Sequence, residues 1–294
     1  MKFALVLATV AAAVFAQDEV ASKNYPIEII GGHEAQVGQH RYLAGLKRSV
    51  MSTSSCGGSL IASNIILTAA HCTGKGLNFA VVGTHYLSGS SDGELAAIIK
   101  EIPHPQYSDA TEGYDVAILI LDHDIPGIAP IPVSFETVPA NVKTWVRGWG
   151  TTSYGGTQSK VLKEVSVLTW GNARATAALA PRSVDNSMLA AGGKQGEDSC
   201  HGDSGGPLTI EDNGAARLVG VVSWGLSCGD LTKPGVYGRL SAMRDFLEPF
   251  LAKRNLRVPY VVGNETEMAE VGDNVVMDTE HLLAGSEVES VGSS

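Results

Sequence analysis

Several kinds of residue are scarce in this chain of 294 residues, and each scarcity excludes a class of protein. Basic residues number only 21 against 31 acidic ones, which gives a net charge of −10. A nucleic-acid-binding surface requires clustered Lys and Arg, and no stretch of the sequence suggests one. Beyond the first 16 residues no apolar run is long enough to span a bilayer, so we predict no membrane anchor.

Cysteine is equally scarce, with four residues in the whole chain. These residues lack the compact Cys/His spacings of a zinc site, which is the competing interpretation, so we predict neither a metal nor a cofactor. The favoured interpretation is two disulfide bonds, for which the sequence alone allows three connectivities. The residues concerned are Cys56, Cys72, Cys200 and Cys228.

The first 16 residues indicate where such bonds would form. A lysine precedes an apolar run from Phe3 to Phe15, and the small residue Ala16 follows. This arrangement is typical of a secretory signal peptide that is cleaved after Ala16. We therefore expect a secreted, extracellular protein that folds in an oxidising compartment.

The acidic charge is concentrated at the other end of the chain. Residues 258–294 contain eight acidic residues and no Lys or Arg, so they carry most of the net charge. Such a composition, poor in aromatic residues, predicts a disordered tail over residues 254–294. The tail also contains the only N-glycosylation sequon of the chain, at Asn264.

The rest of the chain is rich in glycine and in short runs of β-forming residues. Runs at residues 59–68, 116–121 and 218–224 are bounded by turn residues and predict strands. Only residues 241–253 have a helical pattern, with Ser241 as the N-cap and Pro249 bending or shortening the helix. These patterns predict an all-β fold.

The most informative segment is the glycine-rich stretch at residues 202–208, Gly-Asp-Ser-Gly-Gly-Pro-Leu. Glycines on both sides of Ser204 permit backbone conformations that are closed to other residues. They also leave room for a substrate carbonyl to approach backbone N–H groups, which would stabilise the negative charge of acyl transfer. This pattern points to Ser204 as a nucleophile.

Two other segments provide the groups that a serine nucleophile needs. Thr-Ala-Ala-His-Cys at residues 68–72 contains His71, and Asp115 begins the apolar run Val-Ala-Ile-Leu at residues 116–119. A serine hydroxyl requires a base to take its proton, and the base requires a carboxylate that fixes its tautomer. The three segments together therefore point to a Ser-His-Asp enzyme.

In their order along the chain, these motifs resemble those of the trypsin/chymotrypsin-like serine endopeptidases. The resemblance runs from Ile29 to about Lys253 and implies two six-stranded antiparallel β-barrels, divided near residues 130–140, with the active site in the cleft between them. It also implies the catalytic roles: Ser204 is the nucleophile, His71 the general base and Asp115 its orienting carboxylate. The oxyanion hole would consist of the N–H groups of Gly202 and Ser204.

The resemblance further implies specificity and disulfide pairing. Asp198, six residues before Ser204, would form the base of the substrate pocket, where a carboxylate selects Arg or Lys. The family pairing of the cysteines is Cys56–Cys72 and Cys200–Cys228. Other substrate-binding positions would be Ser223, Trp224, Gly225 and Gly235.

Activation by cleavage is implied as well. Residues 17–28 would be a propeptide, and cleavage before Ile29 would free an α-amino group that pairs with Asp203. The residue before this bond is Glu28, where many related zymogens have Lys or Arg. An enzyme specific for basic residues would not cleave there, so we expect a different activating protease.

One departure from the family pattern leaves a second function open. The usual third disulfide is missing, because residues 188–192 read Met-Leu-Ala-Ala-Gly and residues 169–182 contain no cysteine. The alternative is a non-catalytic binding or inhibitor protein on the same fold, similar to the glucanase inhibitor proteins. The complete set of His71, Asp115 and Ser204 favours the enzyme. Its expected partners are protein substrates with Arg or Lys before the scissile bond, an activating protease and protein inhibitors, and we expect a monomer.

Overall fold

The computed structural model describes residues 32–151, 156–194, 202–212, 214–227 and 232–251, together with the backbone of Val261–Val262 and Glu265–Thr266. The predicted signal peptide and propeptide lie outside these residues, as does most of the acidic tail. The chain forms two units, residues 1–252 and the tail. The described strands of residues 1–252, in chain order, are β1 (His33–Glu34), β2 (Leu43–Lys47), β3 (Cys56–Ala62), β4 (Ile65–Thr68), β5 (Phe79–Val82), β6 (Glu94–Pro103), β7 (Ala117–Leu121), β8 (Lys143–Gly148), β9 (Lys163–Trp170), β10 (Met188–Gly192), β11 (Pro207–Asp212), β12 (Ala215–Trp224) and β13 (Pro234–Arg239).

The first barrel consists of six antiparallel strands that close on themselves in the order β2-β3-β4-β7-β6-β5. Residues 59–68, predicted as one strand, form parts of two: β3 and β4 are separated by Ser63 and Asn64, and Ser59 pairs with Leu67. The prediction was wrong here because apolar residues on both sides of this short polar turn obscured it. All five residues of β7 are buried, which explains the continuous apolar run after Asp115.

The second barrel also closes with six antiparallel strands. Strands β8, β9, β10, β13, β12 and β11 form the ring, β11 pairs back to β8, and β1 is added beside β9. Its interior is filled by aliphatic side chains and Tyr237. The predicted all-β fold of two six-stranded barrels is therefore confirmed.

Two helices accompany the barrels, and only one was predicted. Helix α1 (Asn172–Leu179) was missed because just two of its side chains, Ala175 and Leu179, are buried, so it has no strong helical pattern. Helix α2 (Arg244–Leu251) contains Pro249 and begins later than Ser241, because residues 240–242 form a separate 3₁₀ turn. No helix among the described residues is long and apolar enough to cross a membrane.

Helix α1 lies where the family's third disulfide would be expected, and packing takes the place of that bond. Ala175 and Ala190 belong to one buried apolar cluster that also contains Trp170. The Trp170 indole Nε1 donates a 2.8 Å hydrogen bond to the carbonyl oxygen of Gly192. Lys233 Nζ donates to the carbonyl of Ala178 at 2.6 Å. The segment is thus held by apolar burial and by hydrogen bonds to its backbone.

A buried arginine ties several strands of the second barrel together. Arg147 on β8 is almost completely buried; its Nε donates to Glu164 Oε2 at 2.8 Å and its Nη1 to Thr209 Oγ1 at 2.8 Å. Its Nη2 contacts the carboxylate of Glu211. The guanidinium therefore has partners on β9 and β11, which a buried charge requires.

The same network reaches the N-terminal strand. His33 Nε2 on β1 lies 3.2 Å from Glu164 Oε1. His40 Nε2 lies 3.2 Å from Glu164 Oε2, but this contact does not have the geometry of a hydrogen bond. Burial opposes ionisation of Glu164, but the neighbouring His40 and Arg147 outweigh it and lower the pKa of Glu164 from 4.5 to about 2. The first described strand is thus anchored to the second barrel by this carboxylate.

Residues of the tail form a separate unit, in which β14 (Val261–Val262) pairs antiparallel with β15 (Glu265–Thr266). The remainder of the predicted disordered tail lies outside the described residues, so that expectation stays a prediction.

Replacing Trp170 tests whether packing stands in for the missing disulfide. We expect Trp170→Ala to lower the free energy of unfolding by about 3–5 kcal/mol, because it removes a large buried side chain. Trp170→Phe should cost about 1–3 kcal/mol, since the Gly192 carbonyl loses its donor. The measurement is denaturant-induced unfolding. Leu168→Ala, on the same strand but exposed, should change it by no more than about 0.5 kcal/mol; an equal loss there would contradict the interpretation.

Glu164 predicts a specific sensitivity to acid. Because its pKa is about 2 in the folded chain and 4.5 when unfolded, its stabilisation is complete above pH 4.5 and is lost as the pH falls towards 2. The loss should be on the order of 3 kcal/mol. Unfolding measured across this pH range should therefore show a shallower acid dependence for Glu164→Gln. The exposed Glu248→Gln should keep the dependence of the unchanged chain.

Candidate active site

The Ser204 segment lies where the two barrels meet. The Gly57 N–H of β3 donates a 2.8 Å hydrogen bond to the carbonyl of Ser204, and the Gly205 N–H donates to the carbonyl of Val222 on β12 at 2.9 Å. The main chains approach closely here: a Cβ on Gly57 would lie only 3.1 Å from the Cα of Gly206. The backbone of Ser204 is therefore held by one strand from each barrel.

Gly205 brings the serine segment against the histidine segment. It has a φ of +77°, and a Cβ there would lie 2.2 Å from Thr68 Oγ1 and 2.6 Å from the Gly57 carbonyl oxygen. Thr68, three residues before His71, donates its hydroxyl to the same Gly57 carbonyl at 2.8 Å. The two sequence motifs thus contact each other through main chain that only glycine allows.

His71 and Asp115 come together because they follow and precede neighbouring antiparallel strands. His71 is in the 3₁₀ turn after β4, Asp115 comes just before β7, and Thr68 pairs with Ala117. His71 Nδ1 lies 2.7 Å from Asp115 Oδ2, and the His71 backbone N–H donates to Asp115 Oδ1 at 2.8 Å. An ionised carboxylate can only accept hydrogen bonds, so a neutral imidazole in this position carries its proton on Nδ1 and has its lone pair on Nε2.

Asp115 has a third partner that the sequence analysis missed. The hydroxyl of Ser223, at the end of β12, donates to Asp115 Oδ2 at 2.6 Å. Ser223 was predicted only as a substrate-binding residue. Asp115 is almost completely buried, and these hydrogen bonds offset the cost of burying its charge. No signal in the sequence relates Ser223 to a residue 108 positions away.

The remaining predicted positions divide into those that the structure describes and those that it does not. Gly202 has a φ of +102°, as the glycine-rich motif requires. Gly225 and Gly235 face each other, since a Cβ on Gly225 would lie 3.9 Å from the Cα of Gly235. Trp224 follows Ser223 on β12 and is half-buried. Four predicted positions lie outside the described residues: Ile29, Asp198, Cys200 and Cys228.

Asp203 is fully buried in a cradle of glycines. Its Oδ1 accepts a 2.8 Å hydrogen bond from the Gly150 N–H. A Cβ on Gly148 or on Gly150 would lie 2.1 Å from one of its carboxylate oxygens. This cradle fits the side chain closely, and its only sign in the sequence is the two glycines that flank Trp149.

Tyr107 and Asp109 lie close enough to the His71–Asp115 pair to interact with it electrostatically. Burial, followed by the charges of Asp115 and Asp109, raises the pKa of Tyr107 to about 12, so its hydroxyl stays protonated. Asp109 is exposed, and its pKa is lowered mainly by hydrogen bonds from Thr111. Sequence analysis had singled out neither residue, because isolated tyrosines and acids in a loop carry no pattern.

Cys56 and Cys72 are joined by a disulfide bond, as the family resemblance implied, with their Cα atoms 6.4 Å apart. The bond links the start of β3 to the residue after His71. Among the described residues, the only group of side chains close enough to hold a metal ion consists of Cys56, Cys72 and His71. In the oxidised chain both sulfurs are occupied by their mutual bond.

Comparison with known proteins agrees with this geometry. The sequence model described as Trypsin matches residues 29–247. The chain is 34% identical to "Trypsin" of Phaedon cochleariae, over 84% of this chain and 97% of that protein. It is 36% identical to "Trypsin 5G1" of Aedes aegypti, over 75% of this chain and 84% of that protein.

The chain is equally similar to proteins with another name. It is 36% identical to "Glucanase inhibitor protein 3" of Phytophthora sojae (strain P6497), over 84% of this chain and 99% of that protein. The match over residues 29–247, together with the barrels and the glycine-mediated contact between the serine and histidine segments, establishes that this chain belongs to the trypsin family.

Proposed function

We propose that this protein is a secreted serine endopeptidase that hydrolyses peptide bonds after Arg or Lys. The observation that carries the proposal is the hydrogen-bonded pair of His71 and Asp115, 2.7 Å apart, beside a serine segment held by both barrels. The pair leaves a lone pair on His71 Nε2, which is what a general base needs.

The proposed mechanism assigns one step to each group. His71 Nε2 takes the proton of the Ser204 hydroxyl as the oxygen attacks the peptide carbonyl, and then gives that proton to the leaving amine. Asp115 stays ionised and stabilises the imidazolium. The N–H groups of Gly202 and Ser204 stabilise the oxyanion. Water repeats the cycle and releases the acyl group from Ser204.

Specificity and activation belong to the same proposal. Asp198 forms the base of the pocket and selects Arg or Lys, with Gly225 and Gly235 keeping the pocket open. Trp224 and the backbone of Ser223 bind the substrate main chain. Cleavage of the Glu28–Ile29 bond by another protease frees the amino group that pairs with Asp203. The peptidase domain then comprises residues 29–253, after a signal peptide of 16 residues and a propeptide.

A second candidate is a binding protein that inhibits a glucanase. The observation that favours it is the 36% identity to the glucanase inhibitor protein of Phytophthora sojae, which is as high as the identity to the trypsin of Aedes aegypti. The complete His71–Asp115 pair supports the enzyme instead. Turnover by the processed chain distinguishes the two.

The first test uses protein processed to begin at Ile29 and peptide substrates that end in Arg, Lys or Phe before the reporter group. We expect hydrolysis of the Arg and Lys substrates, because a carboxylate at the base of the proposed pocket would favour a cationic side chain. Ser204→Ala in the same processed form should abolish it. Asp198→Ser should reduce kcat/KM for Arg by about 10³-fold or more, which corresponds to roughly 4 kcal/mol.

The other outcomes are equally informative. Preference for Phe would keep the mechanism and contradict the assignment of Asp198. A correctly processed, folded chain without turnover on any substrate would contradict the peptidase. In that case inhibition of β-glucanases by the same sample is the next measurement.

The Ser223–Asp115 hydrogen bond predicts a further effect. Ser223→Ala should lower kcat about tenfold with little change in KM, because it removes a hydrogen bond to the carboxylate but keeps the backbone of β12. Asp115→Asn should lower kcat about 10⁴-fold, because an amide no longer fixes the tautomer. Steady-state kinetics on an Arg substrate measures both.

The matched control is a second serine–aspartate pair remote from the cleft. Ser63 Oγ donates to Asp124 Oδ1 at 2.9 Å on the exposed turn between β3 and β4. Ser63→Ala should leave kcat and KM unchanged. A Ser223→Ala enzyme with the same kcat as the unchanged chain would show that Asp115 does not depend on this hydroxyl.

A further inference from the structure

We propose that His104 is a positioning residue for Asp115. Its neutral ring holds the turn that presents Asp115 to His71, and protonation of His104 releases this turn and slows peptide hydrolysis. The effect on the rate rests on the proposed peptidase activity, whereas the effect on the His71–Asp115 pair stands without it. Sequence analysis did not single out His104, because a lone histidine after a strand carries no pattern.

Asp115 lies at the apex of a tight turn with an uncommon backbone. The Val116 N–H donates back to the Tyr114 carbonyl at 2.8 Å, which closes the turn around Asp115. Both residues before Asp115 have a positive φ, +93° at Gly113 and +52° at Tyr114. Glycine adopts such angles freely, but a bulky residue such as tyrosine does so only where its surroundings hold it. The direction in which Asp115 points therefore depends on what holds Tyr114.

His104 contacts both ends of this turn. Its ring is stacked on the ring of Tyr114, with the centroids 4.8 Å apart and the planes 22° from parallel. Its backbone N–H, directly after β6, donates to the carbonyl of Val116 at 2.9 Å. On the main-chain side of Tyr114, the N–H donates to Ser187 Oγ at 3.3 Å. One histidine thus holds the residues before and after Asp115.

Helix α2 closes the stack from the other face of the histidine. The ring of Phe246 lies edge-on to His104, with the centroids 4.7 Å apart, and Phe250 packs in turn on Phe246 at 5.9 Å. His104 is consequently only 7% exposed. The C-terminal helix therefore reaches the Asp115 turn through a single imidazole.

The hydrogen bonding of His104 requires the neutral ring. The backbone N–H of Gln106 donates to His104 Nδ1 at 3.2 Å, so Nδ1 has to carry a lone pair. A proton on Nδ1 would turn this acceptor into a donor and leave two N–H groups facing each other. Burial also lowers the pKa of His104 below its ordinary value of 6.5. The ring is therefore neutral at pH 7 and is protonated only in acid.

The neighbouring groups do not compensate a positive charge at His104. The titratable and charged side chains of its own loop, of the Asp115 turn and of α2 are Tyr107, Tyr114, Asp115, Arg244, Asp245 and Glu248. Those of α2 are exposed, and the pKa of Tyr107 is raised to about 12, so that its hydroxyl stays neutral. Burial alone lowers the pKa of His104. Protonation thus places an unpaired charge in the middle of the stack, which is costly, and we expect the stack to open.

The kinetic test follows kcat on an Arg substrate across the acid pH range, in protein processed to begin at Ile29. His104→Phe keeps an aromatic ring in the stack but cannot be protonated, so its kcat at alkaline pH should stay within about threefold of that of the unchanged chain. As the pH falls, kcat of the unchanged chain should decline with two protons, one on His71 and one on His104. The decline of His104→Phe should involve one proton.

His123→Phe is the matched control for the pH profile. This exposed histidine lies beyond the opposite end of β7 and pairs with Asp122 at 2.8 Å. The variant should keep the two-proton decline of the unchanged chain.

Removal of the ring tests whether His104 acts through the carboxylate. His104→Ala should lower kcat about tenfold with little change in KM, because the orientation of Asp115 suffers while the substrate contacts remain. In the Asp115→Asn background the same substitution should lower kcat by less than about twofold. A purely structural role would have the same cost in both backgrounds.

A nuclear magnetic resonance titration needs no turnover. It uses the Ser204→Ala chain with ¹⁵N-labelled histidine and observes the proton that His71 Nδ1 donates to Asp115. We expect this resonance to shift as the His104 ring takes up its proton, and this step should be missing in His104→Phe.

Three results would overturn the proposal: the same acid decline in His104→Phe as in the unchanged chain, an equal cost of His104→Ala with and without the Asp115 carboxylate, or a His71 resonance that does not respond to His104. If His104→Ala fails to fold by circular dichroism, the pH profile of His104→Phe and the resonance titration decide. If the processed chain hydrolyses nothing, the peptidase proposal fails, and the titration still decides whether His104 positions the pair.

Discussion

The close approach of main chain between Gly57 and the segment of Gly205 and Gly206 is the contact on which the site depends. It joins the two barrels at Ser204, and the lack of a Cβ on Gly205 makes it possible, since a Cβ there would lie 2.6 Å from the Gly57 carbonyl oxygen. The hydrogen bond from the Gly57 N–H to the Ser204 carbonyl holds the backbone of Ser204 against β3.

The histidine and the aspartate depend on a different constraint, which is the pairing of β4 with β7. These strands are antiparallel neighbours, so the end of one and the beginning of the other lie at the same edge of the barrel. Residues 44 positions apart are thereby brought within hydrogen-bonding distance. The disulfide between Cys56 and Cys72 then holds the histidine turn against β3.

The sequence alone predicted the features that depend on the chemistry of neighbouring residues in the chain. The glycines around Ser204, the setting of His71 and the apolar run after Asp115 each reflect a steric or polar requirement at one place in the chain. Short strand-forming runs predicted an all-β fold, while the two barrels and the cleft between them followed from the family resemblance that these motifs carry.

What the sequence did not reveal are relations between distant residues. The three partners of Arg147 come from two other strands, β9 and β11, and no residue near Arg147 in the sequence indicates them. The same holds for the contact of Ser223 with Asp115. Helix α1 escaped prediction for another reason, since a short alanine-rich segment with two buried side chains has no periodicity to detect.

The position of Ser223 connects two parts of the cleft that would otherwise be independent. Its backbone belongs to the strand end that the family resemblance associates with the substrate main chain, while its hydroxyl holds the carboxylate behind His71. The end of β12 and the His71 ring are thus linked through one atom, Asp115 Oδ2, which lies 2.6 Å from Ser223 Oγ and 2.7 Å from His71 Nδ1. A displacement of that strand end would therefore change the contact that orients the imidazole.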